Sequence, residues 1–393
     1  MRVVLVHNEY AELSGEEVVV RNIRLLLEEH GHEVIPFFRN SSDIARMRLG
    51  KLRALFSGIH SASSGREFAQ LVEQQRPDVV QVQNVYPLIS PVVFNVAAEA
   101  GVPVVFRCAN YRLFCPNGLL FSRGEVCERC ARAREYWCVV RNCERSIPKS
   151  LGYALRNACA RASGAITRNT AMYYVPSYFQ KHKFAAWGIA PERIAVIPNF
   201  IRKSDVDAAE YATGEYVGYA GRISPEKGVG MLLEAARKSG SIPFSIAGGI
   251  EPMPGLSASA PPNVRFLGRL TPTEMAGFYA NARTVVVPSI WYETFGMVIV
   301  EAMLARRPVI ASRIGPIPDL IDDNVTGLLF EPGNADELAE KIRYLWERPG
   351  LRRKMGEAGR EKALREYSAE RYYEKLMALY EKAIELGPGR GRA

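Results

Sequence analysis

Residues 289–303 read SIWYETFGMVIVEAM and follow an apolar run, TVVV, at residues 284–287. The run ends at Pro288, a pattern typical of a buried β-strand that passes into a loop. The loop leads into a helical pattern, and two carboxylates of this stretch, Glu293 and Glu301, stand eight positions apart. Because eight residues span slightly more than about two helical turns, we expect Glu293 in the loop and Glu301 on the following helix.

A small residue stands near the start of that helix. Gly296 follows Phe295, and backbone N–H groups at such a helix N-terminus could approach a phosphate or a hydroxyl. The strand, loop and helix together therefore predict a binding loop. The alternative is a structural strand–loop–helix unit whose glutamates are solvated.

Length and composition indicate a globular protein of about two to three domains. The chain has 393 residues, of which 48% are hydrophobic and 24% are charged, and these values are ordinary for such a protein. The N-terminus, MRVVLVHNEY, becomes polar within eight residues and lacks the apolar region of a signal peptide. No apolar run reaches the roughly 18 residues that a membrane span needs. We therefore expect a cytoplasmic protein.

Positive charge is concentrated in the first half of the chain. The formal net charge is +9, and residues 1–200 hold 25 basic against 17 acidic side chains. Within them, residues 107–183 hold 14 basic and 4 acidic side chains. Such a patch could bind a phosphorylated acceptor, nucleic acid or the anionic inner face of a membrane. Alternatively, it is solvated and has no partner. Since no recognisable nucleic-acid-binding module accompanies the charge, we expect no nucleic-acid partner.

The first half of the chain alternates short apolar runs with amphipathic helical patterns. The apolar runs that indicate strands fall at residues 2–6, 34–38, 77–82 and 102–106. The helical patterns between them fall at residues 16–30, 66–75 and 92–100. This alternation predicts a doubly wound parallel sheet. Ligands of such sheets bind beyond the carboxyl ends of the strands, which selects the loops 7–15, 83–86 and 107–112.

A second alternating set follows a polar, proline-containing segment near residues 198–205. Its predicted strands are residues 216–219, 244–247, 264–267, 284–287, 308–311 and 327–330. Its predicted helices are residues 229–238, 273–281, 335–347 and 351–366, the second capped by Thr271. We therefore predict an α/β protein with an N-terminal domain (1–200) that carries a basic, cysteine-rich insertion at about 108–150, and a C-terminal domain (201–367). A helix (368–386) is expected to pack back on the first domain, and the Gly/Arg-rich tail (387–393) is expected to be disordered.

Two cations stand in the loop after the first strand of the second set. Arg222 and Lys227 lie in the segment AGRISPEKG, where Ser224 and Pro225 begin a predicted helix. Arginine can bind an oxyanion in a bidentate fork and lysine supplies a mobile point charge, so together they form a candidate diphosphate clamp. The alternative is a pair of surface cations.

Four segments of the chain carry a family resemblance. AGRISPEKG (220–228), PSIWYETFGMVIVEAM (288–303), SRIGPIPDLIDDNVTGLLFEPGNADELAEKI (312–342) and VHNEYAELSGEEVVVRNIRLLLEEHGHEV (6–34) resemble the retaining glycosyltransferases of family 4. The resemblance implies a GT-B fold, in which two Rossmann-like, doubly wound parallel-sheet domains face each other across a cleft. Residues 108–130, CANYRLFCPNGLLFSRGEVCERC, resemble a cysteine-containing subgroup among enzymes that build cell-surface polysaccharides.

The resemblance implies roles for single residues. Arg222 and Lys227 would hold the diphosphate of a nucleotide sugar, Glu301 would bind the ribose hydroxyls, and Glu293 would hold the transferred sugar. The implied donor site is completed by the backbone around Thr294, Phe295, Gly296 and Met297, by Gly249 near the base, and by Gly15 in the first loop. Fixed cations and helix-terminal amides stabilise a departing nucleoside diphosphate, so the chemistry is expected to need no metal ion or other cofactor.

The implied reaction is transfer of a hexose from a UDP- or GDP-linked sugar to a carbohydrate or lipid-linked acceptor, with retention of the anomeric configuration. A nucleotide-sugar epimerase and a sugar phosphorylase are weaker alternatives within the same fold. The alternative from another class is a catalytically weak donor-binding protein that scaffolds a glycan assembly complex. Acceptor-dependent release of nucleoside diphosphate would distinguish that binding protein from the enzyme.

The first half departs from the family pattern at two strand ends. Many relatives carry a His-Asn pair after the fourth strand, where this chain has Ala109 and Asn110. Relatives often carry His-x-His-Asn after the third strand, where this chain reads QVQN at residues 81–84. An imidazole that acts as an acid or base typically contributes ~10²–10⁴-fold to the rate. We therefore predict that Asn110, Arg107 or His7 substitutes for the missing histidines; otherwise activity is weak or the donor unusual.

Seven cysteines fall in the first half of the chain. Cys127 and Cys130 form a C-x2-C pair, with Cys115 before it and Cys143 after it. Four thiolates at such spacing can form a tetrahedral structural zinc site. An iron–sulfur cluster and a set of reduced, partly buried thiols are the alternatives.

Overall fold

The alternation of strands and helices builds two separate parallel sheets. We describe a computed structural model, in which residues 1–10, 15–46, 50–202, 214–249, 253 and 255–388 are described, with residues 51–55 described by their backbone alone. The described chain divides into two units. The first unit comprises residues of the ranges 1–123, 127–198 and 372–393, and the second comprises residues of the ranges 124–126 and 199–371.

The first unit contains a six-stranded parallel sheet in the order β2-β1-β3-β4-β7-β8. Its strands are β1 (Arg2–Glu9), β2 (Glu33–Asn40), β3 (Val79–Asn84), β4 (Val104–Arg107), β7 (Met172–Val175) and β8 (Ile194–Val196), and a separate hairpin is formed by β5 (Phe121–Ser122) and β6 (Glu125–Val126). Val3, Val4, Leu5 and Val6 are fully buried. Burial of consecutive residues is expected where helices cover both faces of a parallel sheet.

The helices of the first unit connect these strands. They are α1 (Gly15–Glu29), α2 (Gly50–Ile59), α3 (Ala62–Gln75), α4 (Val92–Glu99), α5 (Trp137–Val140), α6 (Ile147–Ser163), α7 (Ala165–Asn169) and α8 (Tyr178–Ala186). The sequence patterns did not predict α6, α8, β7 or β8. The two strands are short, with four and three residues, and short apolar runs carry little periodicity.

The second unit contains a six-stranded parallel sheet in the order β11-β10-β9-β12-β13-β14. Its strands are β9 (Tyr216–Ala220), β10 (Phe244–Ala247), β11 (Val264–Gly268), β12 (Ala282–Val287), β13 (Val309–Ser312) and β14 (Gly327–Phe330). Its helices are α9 (Val229–Lys238), α10 (Pro272–Asn281), α11 (Met297–Leu304), α12 (Ile317–Leu320), α13 (Ala335–Trp346) and α14 (Pro349–Glu366). The predicted doubly wound α/β class is therefore confirmed.

Local sequence signals explain several of these boundaries. Helix α10 begins at a capping box, in which Thr271 Oγ1 accepts from the Glu274 N–H (3.4 Å) and the Glu274 carboxylate accepts from the Thr271 N–H (2.7 Å). The prediction that Ser224 and Pro225 begin a helix is wrong in part. Pro225–Lys227 form a 3-10 turn, and the α-helix starts at Val229 because Gly228 adopts a left-handed conformation (φ +70°) between them.

The last helix, α15 (Ala369–Leu386), contributes residues to the first unit. Tyr380 Oη donates a hydrogen bond to Gln81 Oε1, and Gln81 Nε2 donates to Tyr174 Oη (2.7 Å). All three side chains are buried. Gln81, which stands at the first histidine position of the family pattern, therefore holds the last helix against the sheet.

The predicted linker and the predicted tail fall largely outside the described residues. Most of the predicted linker lies outside the described residues, since residues 203–213 are not described. The same holds for residues 389–393 of the predicted tail. Among the described residues, none of the helices combines the length and the apolar character that crossing a bilayer requires.

Candidate functional site

Two loops of the second unit meet at the carboxyl ends of its central strands. Lys227, after β9, donates a hydrogen bond from Nζ to Glu293 Oε1, after β12 (2.7 Å). Ser289 Oγ donates to the same carboxylate oxygen (2.6 Å). The Lys227 ammonium also lies 5.3 Å from the centre of the Trp291 ring, within range of a cation–π interaction. Sequence patterns predicted Lys227 and Glu293 as site residues but did not pair them.

Gly228 allows the two loops to approach each other. A Cβ at this position would lie 1.9 Å from the carbonyl oxygen of Pro288, the last residue before the second loop. Gly228 also has φ +70°, a conformation that side chains other than glycine rarely adopt. Ile290 N donates to the Glu226 carbonyl oxygen (3.0 Å), which joins the loops a second time. Backbone contacts therefore fix the position of Lys227 relative to Glu293.

The carboxylate of Glu293 is buried yet held in its charged form. Burial by itself raises the pKa of Glu293. The charge of Lys227 and the hydrogen bonds from Lys227 and Ser289 lower it by more than burial raises it, so the pKa lies below its usual value. Hydrogen bonds that favour the charged form have this effect on a carboxylate. Glu293 is thus an oriented hydrogen-bond acceptor at neutral pH.

The predicted diphosphate clamp is less positive than the sequence suggested. Arg222 forms an ion pair with Glu226, one helical turn later, and Arg222 Nε donates to Ser224 Oγ (3.3 Å). Lys227 is paired with Glu293. Each cation therefore has a carboxylate neighbour, and the Glu226 side chain is a site component that sequence reasoning missed. The sequence feature that could have identified Glu226 is its i, i+4 spacing from Arg222, which favours an ion pair.

Glu301 lies on α11, as predicted. Tyr279 Oη, from α10, donates to Glu301 Oε2 (2.6 Å). Burial and the charge of Glu301 raise the pKa of Tyr279 well above its usual value, so the phenol keeps its proton and acts as the donor. The sequence did not identify Tyr279 as a partner, because the two residues are 22 positions apart on different helices.

The N-terminus of α11 has the predicted glycine. Gly296 precedes the helix with φ +117°, and a Cβ there would lie 3.2 Å from Ile299 and from Leu320. Phe295 is buried in the hydrophobic core, whereas Thr294 and Met297 are partly exposed. The Phe295 side chain therefore anchors the loop in the core, and the predicted role of the backbone around Thr294 and Met297 stays a prediction.

Two predicted donor-site glycines border residues that are not described. Gly249 follows β10 and precedes residues 250–252, so most of the predicted base-recognition loop lies outside the described residues. Gly15 is exposed at the start of α1 and follows residues 11–14, which are likewise not described. The predicted roles of both glycines stay predictions.

In the first unit, His7 lies inside β1 instead of in a loop. The strand continues to Glu9, and its pairing with β2 buries the His7 side chain to 1% exposure. Burial lowers the pKa of His7 to about 4, against the opposing charge of Glu17, whose Oε1 lies 3.7 Å from Nε2. His7 is therefore neutral at pH 7. Its two ring nitrogens have no hydrogen-bond partner within the described part of the chain.

The other predicted residues of the first unit lie after β3 and β4. Asn110 Oδ1 accepts from the Arg112 N–H (2.9 Å), which is a local turn contact, so the Asn110 side chain shapes its own loop. Arg107 Nη1 donates to Gln83 Oε1 (3.3 Å), and both side chains are 3% exposed. Ala109 is partly exposed beside them. Gln83 thus stands at a histidine position of the family pattern, and Arg107 lies two residues before the other such position, Ala109.

The cysteines of the insertion are free thiols. Cys143 is hydrogen-bonded to Cys138, which lowers the pKa of Cys143 to about 6. Cys115 is buried, which raises its pKa to about 11 against hydrogen bonds from backbone groups. Across the described ranges, no group of three or more Cys, His, Asp or Glu side chains could hold a metal ion. Burial, together with the charges of Cys115, Cys127 and Cys143, nevertheless raises the pKa of Cys130. The predicted zinc site at these four cysteines stays a prediction.

Comparison with protein-family models identifies the class of protein. The model of the glycosyl transferases group 1 matches residues 201–362, and the model of the glycosyl transferase 4-like domain matches residues 14–199. The two matches together cover most of the chain. The chain belongs to this family of glycosyltransferases, whose members have the GT-B fold.

Individual relatives agree with this class. An uncharacterized glycosyltransferase of Methanocaldococcus jannaschii is 34% identical over 174 residues, which is 43% of this chain and 48% of that protein. The chain thus matches about half of the length of this relative. The crystal structure of a glycosyltransferase from Rickettsia africae has a TM-score of 0.72 at 16% identity, covering 98% of both chains. The structure of Anabaena HepE in complex with UDP has a TM-score of 0.66 at 19% identity, covering 97% of this chain and 100% of HepE.

Proposed function

We propose that this protein is a retaining hexosyltransferase that takes its sugar from a UDP- or GDP-linked donor. The acceptor is a carbohydrate or a lipid-linked carbohydrate of a cell-surface polysaccharide or other glycan. One observation carries the proposal. The Lys227 ammonium and the buried Glu293 carboxylate meet in the loops that follow the two central strands of the second unit, which is where ligands bind in open parallel sheets.

The donor diphosphate would lie against Arg222 and Lys227. Departure of the nucleoside diphosphate develops negative charge, and a nearby guanidinium and ammonium stabilise that charge more in the transition state than in the ground state. Glu226 and Glu293 hold the two cations in place before the donor arrives. A fixed arrangement of this kind needs little reorganisation during the reaction.

The two glutamates would bind hydroxyl groups of the donor. Glu293 is ionised, and Lys227 and Ser289 orient it through Oε1. This oriented carboxylate would accept from a hydroxyl of the transferred sugar. Glu301, oriented by Tyr279, accepts from the ribose. The acceptor hydroxyl attacks the face that the diphosphate leaves, and a donor phosphate oxygen takes its proton. The protein supplies the charge stabilisation without a metal ion.

Supporting observations come from relatives as well as from geometry. HepE, which shares the fold, has been solved in complex with UDP, and this supports a UDP-type donor.

The first unit lacks histidine at positions 83 and 109, which favours the second candidate, a catalytically weak donor-binding protein of a glycan assembly complex.

A thermal-shift panel with UDP, GDP, ADP and CMP tests donor binding. A ligand at 100 times its Kd stabilises the fold by ~2.7 kcal/mol, so we expect one nucleotide to raise the Tm and Arg222→Ala to abolish the response. Arg353→Ala is the matched control, since Arg353 is also an exposed arginine in an i, i+4 ion pair. A panel without any response, or an equal loss in both variants, contradicts the diphosphate clamp.

Turnover tests the reaction itself. We expect acceptor-dependent release of nucleoside diphosphate that continues after chelation of divalent metal ions, and a product whose anomeric configuration equals that of the donor by NMR. Nucleotide binding without acceptor-dependent release favours the donor-binding protein. An inverted product contradicts the retaining mechanism.

A further inference from the structure

A cavity of about 360 Å³ lies within the first unit. Its walls come from the loops after β3 and β4, from α6 and from residues 187–193. Every residue that lines it belongs to this one unit. The chemistry of the cavity can therefore be considered from the first unit alone.

The lining of the cavity is strongly basic. Its arginines are Arg107, Arg112, Arg132, Arg161 and Arg193. One carboxylate, that of Glu135, lines it as well, and Arg161 Nε donates to this group (2.6 Å). Arg107 is 3% exposed, so its charge lies in a region that excludes water. A concave surface with such an excess of one sign of charge concentrates ligands of the opposite sign.

Two buried polar atoms at the cavity lack protein partners among the described residues. They are Nε of Arg112, a donor, and Oδ1 of Asn157, an acceptor. Asn157 Nδ2 donates to the carbonyl oxygen of Arg112 (2.6 Å), which fixes the amide so that Oδ1 is left over. Buried polar atoms are usually satisfied, so an anionic oxygen for Arg112 and a hydroxyl for Asn157 would complete the site.

Part of the cavity lining is apolar and aromatic. Phe114 and Trp187 belong to it, with ring centres 5.1 Å apart, and Ile189 lines the cavity as well. Aromatic side chains of this kind pack against the apolar faces of sugar rings or against aliphatic groups. The cavity thus offers cations, a hydroxyl acceptor and an apolar wall together.

We propose that this cavity binds the phosphate of a sugar phosphate on the acceptor. The arginines take the phosphate oxygens, Asn157 takes a sugar hydroxyl, and the Phe114–Trp187 wall takes the apolar face of the sugar or of an attached group. The inference rests on the proposed transferase function, because it names the chemical class of its acceptor. The same chemistry is offered by a soluble sugar phosphate and by a sugar phosphate on a lipid.

Calorimetric titration with glucose 1-phosphate tests the site. Arg132→Gln removes an exposed cation from the lining, and Arg134→Gln removes an exposed cation of the same segment that does not line the cavity. We expect Arg132→Gln to weaken binding by about 10-fold, as for the loss of one charged hydrogen bond, and Arg134→Gln to leave it unchanged. Equal affinity in both variants, or equal losses, overturns the proposal.

A third variant separates the cavity from the donor site. Arg222→Ala should leave glucose 1-phosphate binding intact, and Arg132→Gln should leave the thermal response to nucleotide intact. Loss of glucose 1-phosphate binding in Arg222→Ala places the probe at the diphosphate clamp and overturns the cavity assignment. Absence of any nucleotide response counts against the proposed function, while the titration still reports on the cavity.

Vesicles distinguish the two sources of phosphate. Sedimentation with vesicles of phosphatidylcholine, with or without phosphatidylinositol, presents a polyol phosphate on a lipid. Binding that requires phosphatidylinositol and falls with Arg132→Gln assigns the cavity to a lipid-linked acceptor, whereas glucose 1-phosphate binding alone assigns it to a soluble one. If neither probe binds in an Arg132-dependent manner, the cavity is not an acceptor site.

Discussion

The strand ends of the two units manage buried charge in opposite ways. In the second unit, a lysine and a buried glutamate from separate loops form an ion pair, and the pKa of the glutamate lies below its usual value. In the first unit, burial holds His7 in its neutral form, while arginines at the neighbouring strand ends outnumber nearby carboxylates at the cavity. The ion pair of the second unit is complete in itself, whereas the excess of arginines over carboxylates in the cavity lining of the first unit favours an anion from outside.

This difference indicates which groups can respond to a ligand. The Lys227–Glu293 pair is already satisfied, so a donor phosphate must compete with, or add to, an existing contact. Arg112 Nε and Asn157 Oδ1 are buried without a hydrogen-bond partner among the described residues, so a ligand that bonds them displaces no protein hydrogen bond from these two atoms. The second unit holds its charged side chains in fixed positions, which fits the donor role that we propose for it. The first unit has buried polar atoms without hydrogen bonds, which fits the proposed acceptor role.

The largest effect is expected from breaking the ion pair of the second unit. Lys227→Ala leaves Glu293 buried without its cation, and loss of one partner of a buried pair typically costs about 3–5 kcal/mol. We expect the free energy of unfolding of the second unit to fall by this order in denaturant titrations. Lys238→Ala, which breaks an exposed pair with Asp336, should leave the free energy of unfolding nearly unchanged, because exposed ion pairs contribute little.

The pH dependence of the same variant has a defined sign. The folded pKa of Glu293 is lowered, so its pair stabilises the protein above the unfolded pKa and this stabilisation is lost as pH falls through the folded pKa. In Lys227→Ala, burial is opposed by fewer groups and the pKa of Glu293 should rise. Acidification should then destabilise the variant less than the wild-type protein. An equal acid dependence of the two proteins contradicts the charged pair.

The sequence predicted the second unit well because its signals are local. Residues 244–247 and 327–330 were predicted as strands with the observed bounds, and Thr271 was predicted as the cap of α10. The Lys227–Glu293 hydrogen bond was not predictable, since the two residues are 66 positions apart and spacing along the chain does not report distance. Family resemblance indicated both residues but not that one neutralises the other.

The first unit was predicted less well for physical reasons. The apolar run of β1 ends at Val6, yet the strand continues through His7 to Glu9 because backbone pairing with β2 continues to Asn40. Polar side chains inside a strand are buried by tertiary contacts that composition does not encode. The buried position of His7, and the cavity beyond Arg107, therefore became visible only in three dimensions.

A smaller effect is expected from replacing His7, the buried neutral side chain that contrasts with the ion pair of the second unit. Its folded pKa is about 4 and its ordinary value is 6.5, because burial and Arg107 outweigh Glu17. As pH falls from above 6.5 toward 4, His7 is therefore protonated in the unfolded chain before it is protonated in the folded protein. The free energy of unfolding falls over this pH window by about 3 kcal/mol. His7→Gln should remove this dependence in unfolding titrations.

The control for His7 is an exposed histidine of the same unit. His182 lies on α8 and is exposed, so His182→Gln should keep the wild-type pH dependence of unfolding. If His182→Gln and His7→Gln change it equally, the acid sensitivity does not arise from burial at β1.

The smallest effect is expected from Tyr279, which tests whether Glu301 depends on an orienting partner. Tyr279→Phe removes the donor of the 2.6 Å hydrogen bond to Glu301 while keeping the ring in the core. Loss of one hydrogen bond costs about 1 kcal/mol, so the Kd of the bound nucleotide should rise by about 5-fold with little change in kcat. Isothermal titration with the nucleotide selected by the thermal-shift panel measures this.

Tyr216→Phe is the matched control, because Tyr216 Oη donates to the Phe278 carbonyl oxygen (2.8 Å) and not to a carboxylate. Both variants lose one phenolic hydrogen bond in the same unit, so a similar loss of stability is expected from each. A rise in nucleotide Kd confined to Tyr279→Phe then means that the phenol acts through Glu301. Equal nucleotide affinity in the two variants would mean that Glu301 either orients itself without Tyr279 or does not bind the ribose. The second unit would then owe its donor affinity to the Lys227–Glu293 loops alone.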